Sequence, residues 1–303
     1  MKIHSINYHV RDKHLSPCTF FNSVLEWQAY FGYLNTPTGY GRPPYDRQDY
    51  NKYSSRPYHS QDYHELLLIL RAERKFFVCD TVFEAKCGDV IVFPPDTPHA
   101  GIDLCPSPYE RYYLYFHPDF FDHIPGGDLL GGIFRNQNRF LISFQPEERD
   151  RILTSLSAYQ NTAALTPLDR IGLQAAILDF LVRLNRRALE LGDTAPLEST
   201  APPLLTTIVQ YINAEFASIT TIESVAEKFG ISRAYMSKLF REELQISPYQ
   251  YLQSIRLNEA QRLLKKGASV TEACFKAGFN DCSRFISYFR RAVGMTPGEY
   301  LHR

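Results

Sequence analysis

Ile222-Glu223-Ser224-Val225-Ala226-Glu227-Lys228-Phe229-Gly230-Ile231 returns forty-eight positions later as Val270-Thr271-Glu272-Ala273-Cys274-Phe275-Lys276-Ala277-Gly278-Phe279. In each copy apolar or small residues fall at i, i+3, i+4 and i+7 (Ile222, Val225, Ala226, Phe229; Val270, Ala273, Cys274, Ala277), and a glycine follows. That spacing predicts a short amphipathic helix stopped by a residue able to take positive φ. Ser269 and Glu272 have capping-box spacing at the start of the second copy. One residue is then inserted. Ser232 and Asp281, both good N-caps, open a further helix in each copy. Met236 matches Phe285, Leu239 Tyr288, Phe240 Phe289, Arg241 Arg290, Pro248 Pro297, Tyr251 Tyr300 and Leu252 Leu301. Helix, glycine turn, helix, written twice, is a tandem helix-turn-helix.

Between the copies Pro248–Lys266 reads as one helix, with Leu252, Ile255, Ala260, Leu263 and Leu264 on one side. At 1.5 Å per residue it is ~28 Å long, close to the ~34 Å between successive major grooves on one face of B-DNA. If the apolar positions of each second helix face the core, the opposite faces are readers. These carry Arg233, Ala234, Ser237, Lys238 and Arg241 in the first copy, and Cys282, Ser283, Ile286, Ser287 and Arg290 in the second. Lys238 can donate to guanine acceptors, and serine is a permissive partner. Arg241, Arg290 and Arg291 lie deeper in their helices, as phosphate contacts do. Charge agrees: residues 204–303 hold 13 Lys+Arg against 9 Asp+Glu, while the rest of the chain holds 20 against 24, so a net charge of zero hides a basic end on an acidic body.

Working outward, residues 192–203, with three prolines among small residues, read as a stiff linker. Before it, residues 146–160 and 167–191 read as helices. The second has an apolar stripe of Ile171, Gln174, Ala175, Leu178, Leu181, Val182 and Leu189 that suits either its own core or a dimer contact. From His64 to Pro118 the texture is β: Leu66–Leu70, Lys75–Cys79, Asp89–Phe93 and Arg111–Phe116 are short runs bounded by Gly, Pro and Asp. Residues 1–62 are rich in Tyr, Pro and Asn. The 303 residues are 44% hydrophobic, ample for packed cores, and no apolar run approaches the ~20 residues that span a bilayer. Six cysteines without a CxxC pair fit reduced thiols in a cytoplasmic protein rather than a zinc site or disulfide scaffold. There is no nucleophile paired with a base, no phosphate-cradling glycine loop and no paired carboxylates, so catalysis has no motif behind it.

Gly278-Phe279-Asn280-Asp281, Phe285, Phe289-Arg290-Arg291, Gly294-Met295-Thr296-Pro297 and Tyr300 make the last third resemble the tandem helix-turn-helix domain of the AraC/XylS family of transcription regulators. Two positions depart from that pattern: Gln245 stands where the family usually has Gly, and Ala234 where many members carry a larger reading side chain. More loosely, Arg56-Pro57, His64-Glu65-Leu66, Gly88–Pro95 with His99, and Tyr112–Pro118 are similar to the family's cupin-like sensor domain. The resemblance implies an α+β chain with an N-terminal arm (1–62), a cupin-like effector-binding β-barrel (63–125), a helical dimerisation segment (126–191), the linker, and an all-α tandem helix-turn-helix domain (204–303). Carried over by position, it nominates Arg56, Arg111 and Tyr113 as ligand-binding. Strand alternation independently places Arg111, Tyr113 and Tyr115 on one face, and aromatic rings with fixed polar groups suit a carbohydrate. His59, Glu65 and His99 join the candidate ligand set. The same three residues invite a metal-enzyme reading (a cupin isomerase or dioxygenase), but Gln61 occupies the second histidine position and is a poor transition-metal ligand, so no metal or cofactor is expected. The implied partners are double-stranded promoter DNA, a small-molecule effector, a second copy of the chain and RNA polymerase, without a membrane. The implied outcome is activation or repression of carbohydrate-related genes.

Overall fold

A computed structural model describes residues 29–36, 58, 60–61, 63–71, 74–102, 109–135, 140–159, 166–192 and 197–302. Among these residues eight strands come first: β1 (Ala29–Thr36), β2 (His64–Arg71), β3 (Arg74–Val78), β4 (Thr81–Ala85), β5 (Asp89–Phe93), β6 (His99–Ile102), β7 (Tyr109–Phe116) and, after the turn helix α1 (Gly127–Leu130), β8 (Leu141–Ser143). They form two antiparallel sheets, one of five strands in the order β1-β7-β2-β5-β8 and one of three in the order β4-β3-β6. Helices α2 (Pro146–Ser157) and α3 (Pro167–Glu190) follow.

Among the described residues the expected closed cupin-like barrel is not formed: both sheets are open. Both edges of β3 are occupied, by β4 and β6, and no ladder among the described residues joins this sheet to the larger one. The free edge of β4 is capped instead by the linker, where the Thr200 amide donates to the Val82 carbonyl (2.7 Å) and the Val82 amide donates to Ser199 Oγ (3.1 Å). An edge satisfied in this way has no strand to close onto.

The two faces of the five-stranded sheet sort by strand alternation. Leu66, Leu68, Val90, Val92, Tyr112, Leu114 and Phe116 pack against α2 and α3. Leu67, Ile69, Ile91, Phe93 and Tyr113 pack against Phe76, Val78 and Phe83 of the smaller sheet. On α3 the buried residues are Leu173, Ala176, Ile177, Phe180, Leu181 and Leu184. Of the stripe read from the sequence only Leu181 is buried. Ile171 and Leu189 are 55% and 80% exposed, because this helix is apolar on two opposite sides and the other side is the one turned inward.

The C-terminal third is helical: α4 (Pro203–Glu215), α5 (Ile222–Lys228), α6 (Arg233–Leu244), α7 (Pro248–Lys265), α8 (Val270–Lys276), α9 (Cys282–Val293) and α10 (Pro297–Leu301). Each N-cap read from the sequence closes as the chemistry requires: Ser232 Oγ accepts from the Tyr235 amide (3.1 Å), and Asp281 Oδ1 from the Ser283 and Arg284 amides (2.9 and 3.0 Å). Gln245 ends α6 in the left-handed region, φ 57°, so the glycine conformation is kept without the glycine.

This domain is docked on the outer face of the three-stranded sheet. Phe77, Val82, Ala100 and Ile102 share one core with Leu205, Ile208, Val209 and Ile212 of α4 and with Tyr251 of α7. Side chains of this size contribute ~1.5–3 kcal/mol each on burial, whereas the rim pairs Lys75–Glu243 (3.8 Å) and Lys265–Asp96 (2.7 Å) are worth ~0–1 kcal/mol. Apolar burial therefore holds the seam, and the polar groups set its register. At its centre Cys79 turns β3 into β4 with φ 55°, and its carbonyl accepts from Tyr58 Oη (2.7 Å), Tyr251 Oη (3.4 Å) and Asn213 Nδ2 (3.4 Å).

The two glycine turns of the repeat differ in their surroundings. At Gly278, φ +83°, an added Cβ would lie 2.8 Å from the Ala217 Cα and 3.0 Å from its carbonyl oxygen, while at Gly230, φ +65°, nothing lies within 4 Å. Gly278→Ala is expected to cost ~2 kcal/mol or more and Gly230→Ala about 1 kcal/mol, read as midpoint shifts in denaturant unfolding of the full chain. Equal costs would show that backbone conformation alone, not the close approach, makes Gly278 necessary.

Candidate nucleic-acid interface

Both reader helices present the residues read from the sequence. On α6, Met236, Leu239, Phe240 and Leu244 are buried, which leaves Arg233, Ala234, Lys238 and Arg241 exposed and Ser237 half-buried at the surface. On α9, Phe285, Phe289, Ala292 and Val293 are buried; Ser283, Ile286, Ser287, Arg290 and Arg291 are exposed, and Cys282 is half-buried. The Arg233 guanidinium pairs with Glu223 of α5, and Lys238 Nζ lies 3.8 Å from Glu242. Exposed pairs of this kind are weak enough to be exchanged for phosphate.

A cleft of about 470 Å³ opens beside the first reader helix, lined by Thr221, Arg233, Ser237, Arg241, Ser247 and Tyr249 among others. Sequence reasoning missed Thr221, Ser247 and Tyr249. Thr221 and Ser247 are the N-caps of α5 and α7, so two helix starts converge on a cleft lined by three arginines, Arg233 (paired with Glu223), Arg241 and Arg256, an arrangement suited to a backbone phosphate. Tyr249 is 60% exposed; a large aromatic left outside at a helix start is the signal that could have found it.

The two readers are held as one body by α7. Its Tyr251 and Leu252 lie in the core of the first unit, and its Leu257, Ala260 and Leu264 in the core of the second. Arg256, buried in the same helix, donates to the Phe216 carbonyl (3.0 and 2.8 Å) and to that of Ile219, fixing the approach to α5.

In the N-terminal half, Arg56 and His59 lie outside the described residues. The other four ligand candidates meet between the sheets. Glu65, opposite Tyr115 in the β2–β7 register, is buried, accepts from Gln61 Nε2 (2.5 Å) and lies 3.6 Å from His99 Nε2. His99 Nδ1 is 3.0 Å from the Thr97 carbonyl, and its ring stacks on Phe93 at 3.8 Å. The Arg111 guanidinium sits 5.9 Å from the Tyr113 ring centre. Gln61 Oε1 is buried without a hydrogen bond. Burial pushes the Glu65 carboxyl up to about 7, against the opposing pull of Arg111 and a hydrogen bond from Tyr115. Gln61 itself shares the carboxylate, and no three His, Cys, Asp or Glu side chains among the described residues gather as a metal site would need.

Because the folded-state pKa of Glu65 is raised from the ordinary 4.5, the folded chain between about pH 4.5 and 7 holds a proton that the unfolded chain has lost. Stability from this group is complete below that window and declines as pH rises through it, by about 3 kcal/mol. Glu65→Gln should flatten this component in unfolding free energies measured across the window. An unchanged slope would mean that Glu65 ionises as an ordinary carboxylate.

A helix-turn-helix domain model matches residues 225–303, and a model of the AraC-like ligand binding domain matches residues 45–134. The chain is 31% identical over 166 residues to the uncharacterized HTH-type transcriptional regulator YpdC of Escherichia coli (strain K12), covering 54% of this chain and 55% of that protein. It is 30% identical over 123 residues to the HTH-type transcriptional activator RhaS of Escherichia fergusonii, covering 40% and 42%. With the Msm operon regulatory protein of Streptococcus mutans it shares 21% identity over 236 residues, covering 77% and 81%. The match thus spans about half the length of the first two relatives. With matches to both domain types in their expected order, the chain carries a C-terminal tandem helix-turn-helix domain behind an AraC-like ligand binding domain, the arrangement in which it resembles the AraC/XylS-type transcriptional regulators.

Proposed function

We propose that this chain regulates transcription by binding promoter DNA sequence-specifically through α6 and α9, under the control of a small molecule held between the two sheets. One observation carries the DNA reading: α7 is built into the cores of both helix-turn-helix units, so two reader faces ride on one rigid body. An eighteen-residue helix is ~27 Å long, which suits neighbouring turns of one duplex. Ser283 and Ser287 with Arg290 and Arg291, and Lys238 with Arg241, then divide between base edges and phosphates.

For the effector, Arg111, Tyr113, Glu65 and His99 support a carbohydrate-class ligand. Rings offer faces to C–H groups, and the buried Gln61 oxygen is an acceptor in want of a hydroxyl. A route to the DNA-binding domain runs through residues 96–99. The Asp96 amide donates to the Gln61 carbonyl (2.7 Å), the Cys79 amide donates to the Pro98 carbonyl (2.9 Å), and Lys265 of α7 pairs with Asp96. A ligand that rearranges Gln61 or His99 acts on the segment that also holds the seam, and it shifts the protein only by its difference in affinity for the two arrangements. The outward stripe on α3, Ile171, Ala175, Val182 and Leu189, supports pairing with a second copy. Contact with RNA polymerase belongs to the same reading. No helix among the described residues is long and apolar enough to cross a membrane.

Selection of duplexes from a randomised library by the full chain tests the DNA reading. Affinity for the enriched duplexes should fall steeply with salt, Arg241→Ala should lower the salt slope by about 1, and Lys238→Ala should cost ~1–3 kcal/mol while relaxing one base position. No enrichment, or a flat salt response, would overturn it. Thermal denaturation of the full chain against a sugar panel tests the sensor: a selective rise in Tm should disappear in Arg111→Ala, with DNA affinity unchanged. Retention of the rise in that variant would move the ligand elsewhere.

A further inference from the structure

We propose that Cys274 and Cys282 are a redox-modification site: a hydroperoxide joins them in a reversible disulfide that disables the second reader helix. Cys274 is fully buried on α8, Cys282 is half-buried as the first residue of α9, and both side chains pack in a single apolar cluster. The turn between them is held from several sides. The Phe279 amide donates to the Cys274 carbonyl (3.0 Å), Cys274 Sγ reaches the Phe279 carbonyl (3.8 Å), Asp281 caps α9, and Gly278 is wedged against Ala217. Both cysteines are thus held at one turn that the fold needs for other reasons.

The division of labour follows from burial. Desolvation, followed by the neighbouring Cys282 and the Asp281 charge, pushes the Cys274 thiol up to about 12, so it stays protonated and out of reach. Cys282 is the member that meets solvent. Its thiolate attacks the hydroperoxide, the O–O bond breaks, an alcohol or water leaves, and Cys282 becomes a sulfenic acid. Cys274 then attacks that sulfur, the S–O bond breaks, and the thiol proton leaves with the hydroxyl as water. In sum, two thiols and one hydroperoxide give a disulfide, an alcohol and water. The S–S bond is ~2.05 Å, far shorter than the contact of two unbonded sulfurs, so closure draws the first turn of α9, with Ser283 beside it, toward α8. The first unit has Ala226 and Arg233 at the matching positions and cannot respond.

The consequence for DNA rests on the proposed function; the cross-link itself does not. Trypsin cuts after Lys276, between the two cysteines, so a disulfide appears as Gly267–Lys276 linked to Ala277–Arg284, lighter by two hydrogens than the separate peptides. The full chain treated with hydrogen peroxide should yield that linked pair. Its affinity for duplexes selected by the reduced chain should fall roughly tenfold or more and recover with dithiothreitol. Cys282→Ala, a change at a half-buried position, should leave affinity insensitive to peroxide, and Cys274→Ala should give a sulfenic acid on Cys282 with no cross-link. Absence of the linked pair in the wild-type chain overturns the site. A linked pair with unchanged affinity, or the same peroxide loss in Cys282→Ala, overturns the switch. If the reduced chain selects no duplex, the proposed function fails, and the cross-link is judged on the peptide map alone.

Discussion

Everything the DNA-binding end can do depends on α7 being buried on behalf of two cores at once. A helix packed on one side only could pivot and leave each reader to find its own groove. Here Tyr251 and Leu252 are committed to the first unit, and Leu257, Ala260 and Leu264 to the second, with Arg256 tying the same helix to the carbonyls ahead of α5. Turning one reader relative to the other would open a core, and emptying buried Leu or Phe positions costs several kcal/mol. Spacing between the readers is therefore a property of packing, not of a flexible joint.

The same helix also joins the two halves of the chain, because Tyr251 faces the sensor sheet as well as the first core. Its hydroxyl is shared between Asn213 (2.6 Å) and the strained Cys79 turn, and burial holds its ionisation far above the ordinary phenol range. A seam made mostly of apolar burial, with a few neutral hydrogen bonds inside it and two ion pairs at its rim, depends little on salt.

What was legible in the sequence was local. The glycine stops, the Ser and Asp caps and the i, i+3, i+4, i+7 faces are short-range signals, and they located α5, α6, α8 and α9 and the exposed readers. The closed barrel was not legible, because closure depends on which distant segment fills a strand edge, and the edge of β4 is filled by Ser199 and Thr200 from the linker. The phase of α3 was ambiguous for a different reason: with Ile171, Ala175 and Leu189 on one side and Leu173, Ile177 and Leu184 on the other, periodicity finds the helix but not its inner face. The Gln61–Glu65–His99 contact depends on β2 and β6 meeting across two sheets, so it was reached through the family resemblance and not through any short-range signal.

The duplicated units have diverged in a way that assigns them different mechanical roles. The first is restrained from outside, by the sensor sheet and linker on its apolar side, and its glycine turn is open, with nothing near Gly230. The second contacts the sensor half through the Lys265–Asp96 pair and is restrained by its own aromatic core of Phe279, Phe285 and Phe289 and by Gly278 packed against Ala217 of the α4–α5 connection. A unit fixed by its neighbour can be moved only by moving that neighbour, which suits it to receive a signal from the sensor. The second unit shares α7 and so moves with the first, but a change in covalent chemistry inside its own turn reaches its reader helix directly. Two inputs of different kinds can therefore act on one rigid pair of readers without competing for the same residues.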